Sequence, residues 1–489
     1  MCKSVIQQEV NKEEDDEDIG TLSRIHHSSE LLCIMRSRIL NPKVYQSTFI
    51  LSCILSISKA EERPHALNTL YQSLKIKQDR TDTCPRERLV PKMSGITNGS
   101  YRKLYGTDST VMRTSQNISV FMVGDVMLGR GIDNILSMSC DPKLYESYVK
   151  DANVYVTLAI RANGPLPPKD ERKVDYVWGD AIDILASEQP DVKIINLETS
   201  VTTSATPWPY KGINYRMHPS NVGVITSANI DCCVLSNNHV IDWGYSGLDE
   251  TLKVLRNSGL RTCGAGNDID DARKPAIIDV PHKKGRILVF GIGDGSSGIP
   301  VAWKAKKSQS GVNYVDVGSE AELTKIREQV NGIKKPGDIA VMSVHWGGNW
   351  GYEIKKEHKQ FAHNLIDTCN IDVIHGHSSH HPKAVEIYNG KLILYGAGDF
   401  INDYEGIGRS DYTMFRHDLS LMYFAKFDVN SGEVKELKMV PTQIKKLRVN
   451  RADEKDVQYL FEIMKKECGM FNLEVNREGD VLVLNVKSQ

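Results

Sequence analysis

The chain has 489 residues, of which 40% are hydrophobic and 25% charged, and its formal net charge is −1. This length corresponds to about two or three domains, and the apolar fraction is sufficient for a large buried core. The balanced charge argues against a dedicated nucleic-acid-binding protein, which would be strongly basic. Short basic clusters such as Lys334-Lys335 are therefore interpreted as solvated surface, with contact to a polyanion as the alternative.

Residues 1–116 differ in pattern from the rest of the chain. Residues 13–18 are all acidic, and no alternation of strand and helix patterns is visible before residue 117, which predicts a disordered leader and linker of low order. Within this leader, residues 35–60 combine basic side chains with an apolar run of signal-peptide length, too short for a transmembrane helix. Two interpretations stay open. A signal or anchor segment would make the protein secreted or membrane-associated, whereas a short apolar patch would leave it cytoplasmic.

From residue 117 onward, short apolar runs are each followed by a side chain that can bind a metal. We predict a folded domain over residues 117–489, with a motif core at 117–445 and a C-terminal α+β extension at 446–489. Five apolar runs end in oxygen or nitrogen donors: Asp125, Glu198, Asn238 with His239, His345, and four histidines within residues 375–381. Because parallel strands present their carboxyl ends at one edge of a sheet, we expect these donors to converge.

The stretches between these runs carry helix signals. Residues 246–259 have an amphipathic helical pattern, and Ser319 opens a capping box. Strands and helices that alternate at this length predict an α/β fold with mostly parallel sheets and right-handed crossovers. The dipeptide Asn389-Gly390 lies between two alternating runs and predicts a type I′ hairpin, which adds antiparallel strands at a sheet edge. A helix at about residues 454–468 and a terminal hairpin are predicted near the C-terminus.

Six motifs together resemble one known family. In chain order they read GDVMLGR, NLE, SNNHVIDWG, VHWG, GHSSH and YGAGDF, at residues 124–130, 196–198, 236–244, 344–347, 376–380 and 395–400. As a set they resemble the capsule-synthesis CapA family, which is named for bacterial poly-γ-glutamate synthesis and export. That family belongs to the metallophosphoesterase (calcineurin-like) superfamily. The resemblance covers about residues 117–445, in the family's order and spacing.

The resemblance implies a two-sheet αββα sandwich of the metallophosphoesterase type that holds two divalent metal ions. The implied ligands are Asp125, Glu198 in the bridging position, Asn238, His345, His377 and His380. Mixed donors of these kinds favour Mn, Zn or Fe over Ca. His239 would not be a ligand but would face the scissile phosphate and protonate the leaving group. The superfamily usually has a histidine two residues after the first aspartate, where this chain has Met127, so the first metal position has one ligand fewer.

Three functional interpretations follow from the resemblance. The first is a CapA-like protein of poly-γ-glutamate synthesis or export that contacts an anionic polymer. The second is a metal-dependent phosphoesterase with a phosphorylated substrate, and the third is a non-catalytic polymer-binding accessory. The glycine loop at residues 264–267 lacks a P-loop lysine, so nucleotide binding is not expected. Any ATP-dependent activation of glutamate would then need a separate ligase as partner.

Overall fold

The computed structural model describes residues 117–280, 285–407, 415–484 and 486. The predicted leader at 1–116, with the candidate signal or anchor segment at 35–60, lies outside the described residues. Within the described ranges, no helix combines the length and hydropathy that a membrane crossing requires. These residues form a mixed α/β structure with two large sheets and two small ones.

The first large sheet has ten strands. Their bounds are β1 Asn117–Val126, β2 Val192–Leu197, β5 Cys232–Val234, β6 Arg261–Cys263, β15 Asp399–Ile401, β16 Leu419–Asp428, β17 Val434–Ile444, β18 Val449–Arg451, β19 Val475–Glu478 and β20 Val481–Leu484. The main order is β19-β20-β17-β16-β1-β2-β5-β6, with β15 beside β1 and β18 beside β17. β1, β2, β5, β6 and β15 pair in parallel, whereas β16 to β20 pair in antiparallel fashion.

The second large sheet has six strands in the order β13-β14-β12-β11-β9-β8. Their bounds are β8 Ala276–Val280, β9 Gly285–Gly293, β11 Ile339–His345, β12 Val373–His377, β13 Val385–Tyr388 and β14 Lys391–Leu394. The four inner strands are parallel and the two edge strands antiparallel. The predicted hairpin is confirmed, because Asn389 and Gly390 both have positive φ, as a type I′ turn requires.

Two small sheets complete the strands, β3 Ser200–Val201 with β4 Arg216–Met217 and β7 Ala265–Gly266 with β10 Gly311–Val312. The α-helices of the described residues are α1 Arg130–Ile135, α2 Asn153–Asn163, α3 Ala181–Glu188, α4 Gly223–Ser227, α5 Gly244–Asn257, α6 Ile269–Arg273, α7 Glu320–Ile333, α8 Lys356–Cys369 and α9 Glu454–Gly469. The predicted cap of α7 is present, since the Ser319 side chain accepts a hydrogen bond from Glu322 N. The predicted C-terminal helix is α9, and the terminal hairpin is β19–β20.

The two large sheets share an apolar core. Val120 and Met122 of β1 belong to it, together with Val289 of β9 and Val341 of β11. Phe121 of β1 belongs instead to a second core, to which α3 and α5 contribute. Successive side chains of a strand alternate between its faces, so both faces of the first sheet are covered.

A third core covers the outer face of the second sheet. It joins Phe290 of β9 to Leu323 of α7 and Phe361 of α8. The layers therefore run helix, sheet, sheet, helix. Because strands of both sheets end near one another, side chains just beyond those ends can meet between the two central layers.

Candidate metal centre

Five predicted ligands from both large sheets lie together at the carboxyl ends of their strands. Asp125 is the second-last residue of β1, and Glu198 directly follows β2. Asn238 lies in the loop after β5, and His345 and His377 are the last residues of β11 and β12. Three contacts between these ligands cross from one sheet to the other, Asn238 Oδ1 to His345 Nε2 at 3.1 Å, Glu198 Oε1 to His345 Nε2 at 3.8 Å, and Asp125 Oδ1 to His377 Nδ1 at 3.8 Å.

Buried carboxylates form one half of this cluster. Oxygens of Asp125, Glu198 and Asp399 lie within 4.8 Å of one another, and none of these residues is more than 4% exposed. Burial, with the neighbouring carboxylate Asp399, raises the pKa of Asp125 to about 8, and burial raises the pKa of Glu198 as well. Within the described ranges, the three carboxylates form ion pairs with histidines only. Protonation or bound cations would relieve the repulsion within such a group, and its carboxylate oxygens are donors that divalent cations can use.

Imidazoles form the other half, and a chain of hydrogen bonds fixes the proton positions. The carbonyl of Val123 can only accept, so His375 Nε2 donates to it at 2.8 Å. Burial lowers the pKa of His375 to about 4, so its ring is neutral and Nδ1 accepts from the Ser343 hydroxyl at 3.0 Å. Ser343 Oγ in turn accepts from His377 Nε2 at 2.9 Å. The other nitrogen, His377 Nδ1, then carries a lone pair, and it lies 2.7 Å from His345 Nδ1.

His239 lies beside the cluster with its ring held on three sides. Its Nδ1 is 2.6 Å from Asp242 Oδ2, its face stacks on Tyr215 at 3.9 Å between ring centroids, and its Nε2 is 3.9 Å from Glu198 Oε1. Lys211 Nζ forms an ion pair with the second oxygen of Asp242 at 2.7 Å and lies 3.1 Å from His239 Nδ1. Burial lowers the pKa of His239 to about 4, although Asp242 opposes this shift. The neutral ring donates from Nδ1 to Asp242, which leaves the Nε2 lone pair toward the carboxylates.

Comparison with known proteins identifies the family to which this chain belongs. The family model described as "Bacterial capsule synthesis protein PGA_cap" matches residues 119–404. A probable polyglutamine synthesis accessory protein of Mycobacterium tuberculosis is 41% identical over 368 residues, which are 75% of this chain and 95% of the relative. The chain belongs to the CapA capsule-synthesis family.

More distant relatives agree with this membership. The PGA biosynthesis protein CapA of Bacillus subtilis is 25% identical over 71% of this chain and 80% of its own length. The capsule biosynthesis protein CapA of Bacillus anthracis is 23% identical over 70% of this chain and 74% of its own length. The predicted CapA resemblance is therefore confirmed, and all six motif segments fall within the matched region.

The sixth predicted ligand of this CapA-family chain, His380, reaches the cluster through Asp399. Its Nδ1 lies 2.8 Å from Asp399 Oδ2 and 2.9 Å from Oδ1. Burial lowers the pKa of His380, but the adjacent Asp399 outweighs this effect and the net direction is upward. The histidines of the same segment that had no assigned role are structural: His375 belongs to the proton chain above, and His381 accepts from Gly351 N at 3.1 Å.

Asp399 had no predicted role, although the sequence contains a signal for it. The dipeptide Gly398-Asp399 repeats Gly124-Asp125, and β15 pairs with β1 in parallel so that Asp125 and Asp399 are register partners. Gly124 permits this approach, because a Cβ at this position would lie 1.9 Å from Gly398 O. Asp242 and Lys211, which hold His239, were also without an assigned role.

Proposed function

We propose that this chain is a CapA-like protein of poly-γ-glutamate synthesis or export whose site is a dinuclear metal centre with hydrolytic activity of the phosphoesterase type. The observation that carries the hydrolase part is the meeting of three buried carboxylates with neutral imidazoles beside the oriented ring of His239. The polymer context rests on the named relatives. We further propose that the fold is the metallophosphoesterase sandwich, which the helix, sheet, sheet, helix order supports.

The residues present fit two divalent ions. Asn238, His345 and His377 would hold one ion, Asp125 and His380 would hold the other, and Glu198 would lie between them. Ligand atoms of Asp125, His345 and His377 lie within 4.8 Å of one another, and so do those of Asp125, Glu198 and Asp399, so Asp125 lies where two neighbouring groups of donors meet. When bound, such a pair of ions lowers the pKa of a shared water and clamps a phosphoryl group. Donors of this mixture suit Mn, Zn or Fe.

The chain's own residues would position the proton transfer. Asp242 fixes the tautomer of His239, and stacking on Tyr215 fixes the plane of its ring. His239 Nε2 then faces the region where a scissile group would lie. Because the ring is neutral, it has to take up a proton before it can give one to a leaving group, and an anionic substrate beside Nε2 favours that uptake.

A non-catalytic accessory role is the second candidate, and the name of the mycobacterial relative favours it. In that case the site would bind an anionic polymer, a separate ATP-dependent ligase would form the amide bonds, and the segment at 35–60 would supply any membrane association. The two candidates differ in turnover. A metal-dependent enzyme hydrolyses a substrate and loses this activity when its metal ions are chelated, whereas an accessory protein binds polymer without cleaving it.

The test uses the full-length chain loaded with Mn²⁺, Zn²⁺ or Fe²⁺. Bis(p-nitrophenyl) phosphate and poly-γ-glutamate are offered as substrates, with and without EDTA. We expect metal-dependent hydrolysis of the phosphodiester by the wild type, its abolition by EDTA, and full activity in a His363→Ala control, whose ring pairs with Glu386 outside the site. Polymer binding without hydrolysis of either substrate would favour the accessory role instead.

A further inference from the structure

The first metal position lacks a ligand that the wider superfamily supplies two residues after the first aspartate. Met127 occupies that place, and its sulfur accepts a hydrogen bond from Gly129 N at 3.1 Å in a side chain that is 2% exposed. A thioether suits soft ions such as Cu(I) and does not suit the ions that carboxylates favour. With Asp125, Glu198 and His380 alone, this position would have few protein ligands.

We propose that Asp399 is the missing ligand and that its carboxylate takes the place of the absent histidine. This inference rests on the proposed dinuclear function and identifies a ligand that the CapA resemblance did not assign. The backbone places Asp399 directly beside Asp125, since the two residues are register partners and Asp125 N donates to Gly398 O at 3.0 Å. A second strand thus adds a carboxylate beside the first aspartate at the same edge of the sheet.

The position of the Asp399 carboxylate agrees with a ligand role. Its oxygen lies within 4.8 Å of oxygens of both Asp125 and Glu198, in a residue that is 3% exposed. It has no lysine or arginine partner among the described residues, and its ion pair is with His380. A carboxylate that only stabilised the fold would more commonly be paired with a cationic side chain or with backbone N–H groups.

The hydrogen bonds that Asp399 accepts would fix the orientation of its carboxylate, as is common for metal ligands. His380 Nδ1 lies 2.8 Å from Oδ2, and Asn402 Nδ2 donates to the same oxygen at 3.2 Å. Carboxylates that ligate metals are commonly hydrogen-bonded in this way, which fixes their orientation. The rival explanation is that Asp399 only orients His380, and the two explanations differ in what happens once His380 is removed.

The experiment titrates metal-stripped full-length protein with Mn²⁺ by calorimetry and follows bound Mn²⁺ by electron paramagnetic resonance. The variants are Asp399→Ala, Asp399→Asn, His380→Ala and the double variant Asp399→Asn with His380→Ala. The asparagine variant still accepts from His380 but loses the charge. Glu386→Gln is the matched control, because Glu386 also pairs with a histidine, His363, at 3.1 Å but lies outside the cluster.

We expect two Mn²⁺ ions per wild-type chain with a spin-coupled signal. In both Asp399 variants one position should weaken by about 100-fold or more, beyond the roughly 10–100-fold typical of an outer partner. The Asp399→Asn change should also weaken binding in the His380→Ala background, which an orienting role does not predict.

The control Glu386→Gln should bind like the wild type. Two ions with unchanged affinity in Asp399→Ala, or no further loss in the double variant, would overturn the assignment of Asp399 while leaving the dinuclear site intact. A wild type that binds no Mn²⁺ would overturn the proposed function and this inference together.

Discussion

Replacing Ser343 by alanine tests the chain of hydrogen bonds that fixes the His377 ring. The hydroxyl donates to His375 Nδ1 and accepts from His377 Nε2, and its side chain is buried in the middle of β11. Without it, His377 is free to move its proton to Nδ1, the nitrogen that faces the cluster. Loss of an outer partner of this kind costs about 10–100-fold in metal affinity, or about 1.4–2.8 kcal/mol.

The same substitution leaves two buried ring nitrogens without a partner. Each such loss costs about 1–3 kcal/mol, so Ser343→Ala should also destabilise the metal-free protein. Affinity is measured by competition with a chromophoric chelator, and stability by urea unfolding in EDTA. Ser420→Ala is the matched control, because Ser420 is equally buried in β16 and its hydroxyl has no hydrogen-bond partner among the residues that the structure describes. A folded Ser343→Ala variant with wild-type metal affinity would refute the proton assignment.

Three further predictions concern metal content, catalysis and stability. His377→Ala should lower the bound metal measured by plasma mass spectrometry while the circular dichroism spectrum is retained, and an undiminished content would count against its ligand role. His239→Ala should keep both metals and its circular dichroism spectrum but lose about 10²–10⁴-fold in hydrolytic rate, most for poor leaving groups, whereas equal turnover would remove its catalytic role. EDTA should lower the unfolding midpoint, since each site stabilises by about 2.7 kcal/mol at metal concentrations 100 times Kd. An unfolding midpoint that changes neither with EDTA nor with added Mn²⁺ would contradict the claim that the three buried carboxylates bind metal ions.

Those parts of the site that follow long apolar runs could be predicted from the sequence. Asp125 and His345 come at the ends of ten- and seven-residue strands, whose buried pattern is visible as a continuous run of apolar residues. Since the parallel strands of one sheet share one edge, the convergence of end residues within each sheet was predictable as well, whereas the meeting of the two sheets was implied only by the family resemblance. The type I′ turn at Asn389-Gly390 is equally local, because its residues alone supply the positive φ.

The parts that depend on tertiary contacts could not be predicted in this way. β15 has only three residues, too few for a recognisable strand pattern, so the position of Asp399 beside Asp125 became visible only from the pairing with β1. Ser343 lies inside a strand, where a small polar residue gives no sign of its neighbours. Lys211 lies in a loop and Asp242 in a turn. Neither segment has a periodic pattern that could predict the contact between the two side chains.

The central claim is that the strand ends of both sheets hold two divalent ions. It is tested most directly by the metal content of full-length protein after incubation with Mn²⁺ or Zn²⁺ and gel filtration, measured by plasma mass spectrometry against protein concentration. We expect close to two ions per chain, and a lower content when His345, a proposed ligand, is replaced by alanine. A folded wild-type chain that retains no ion under these conditions would contradict the claim.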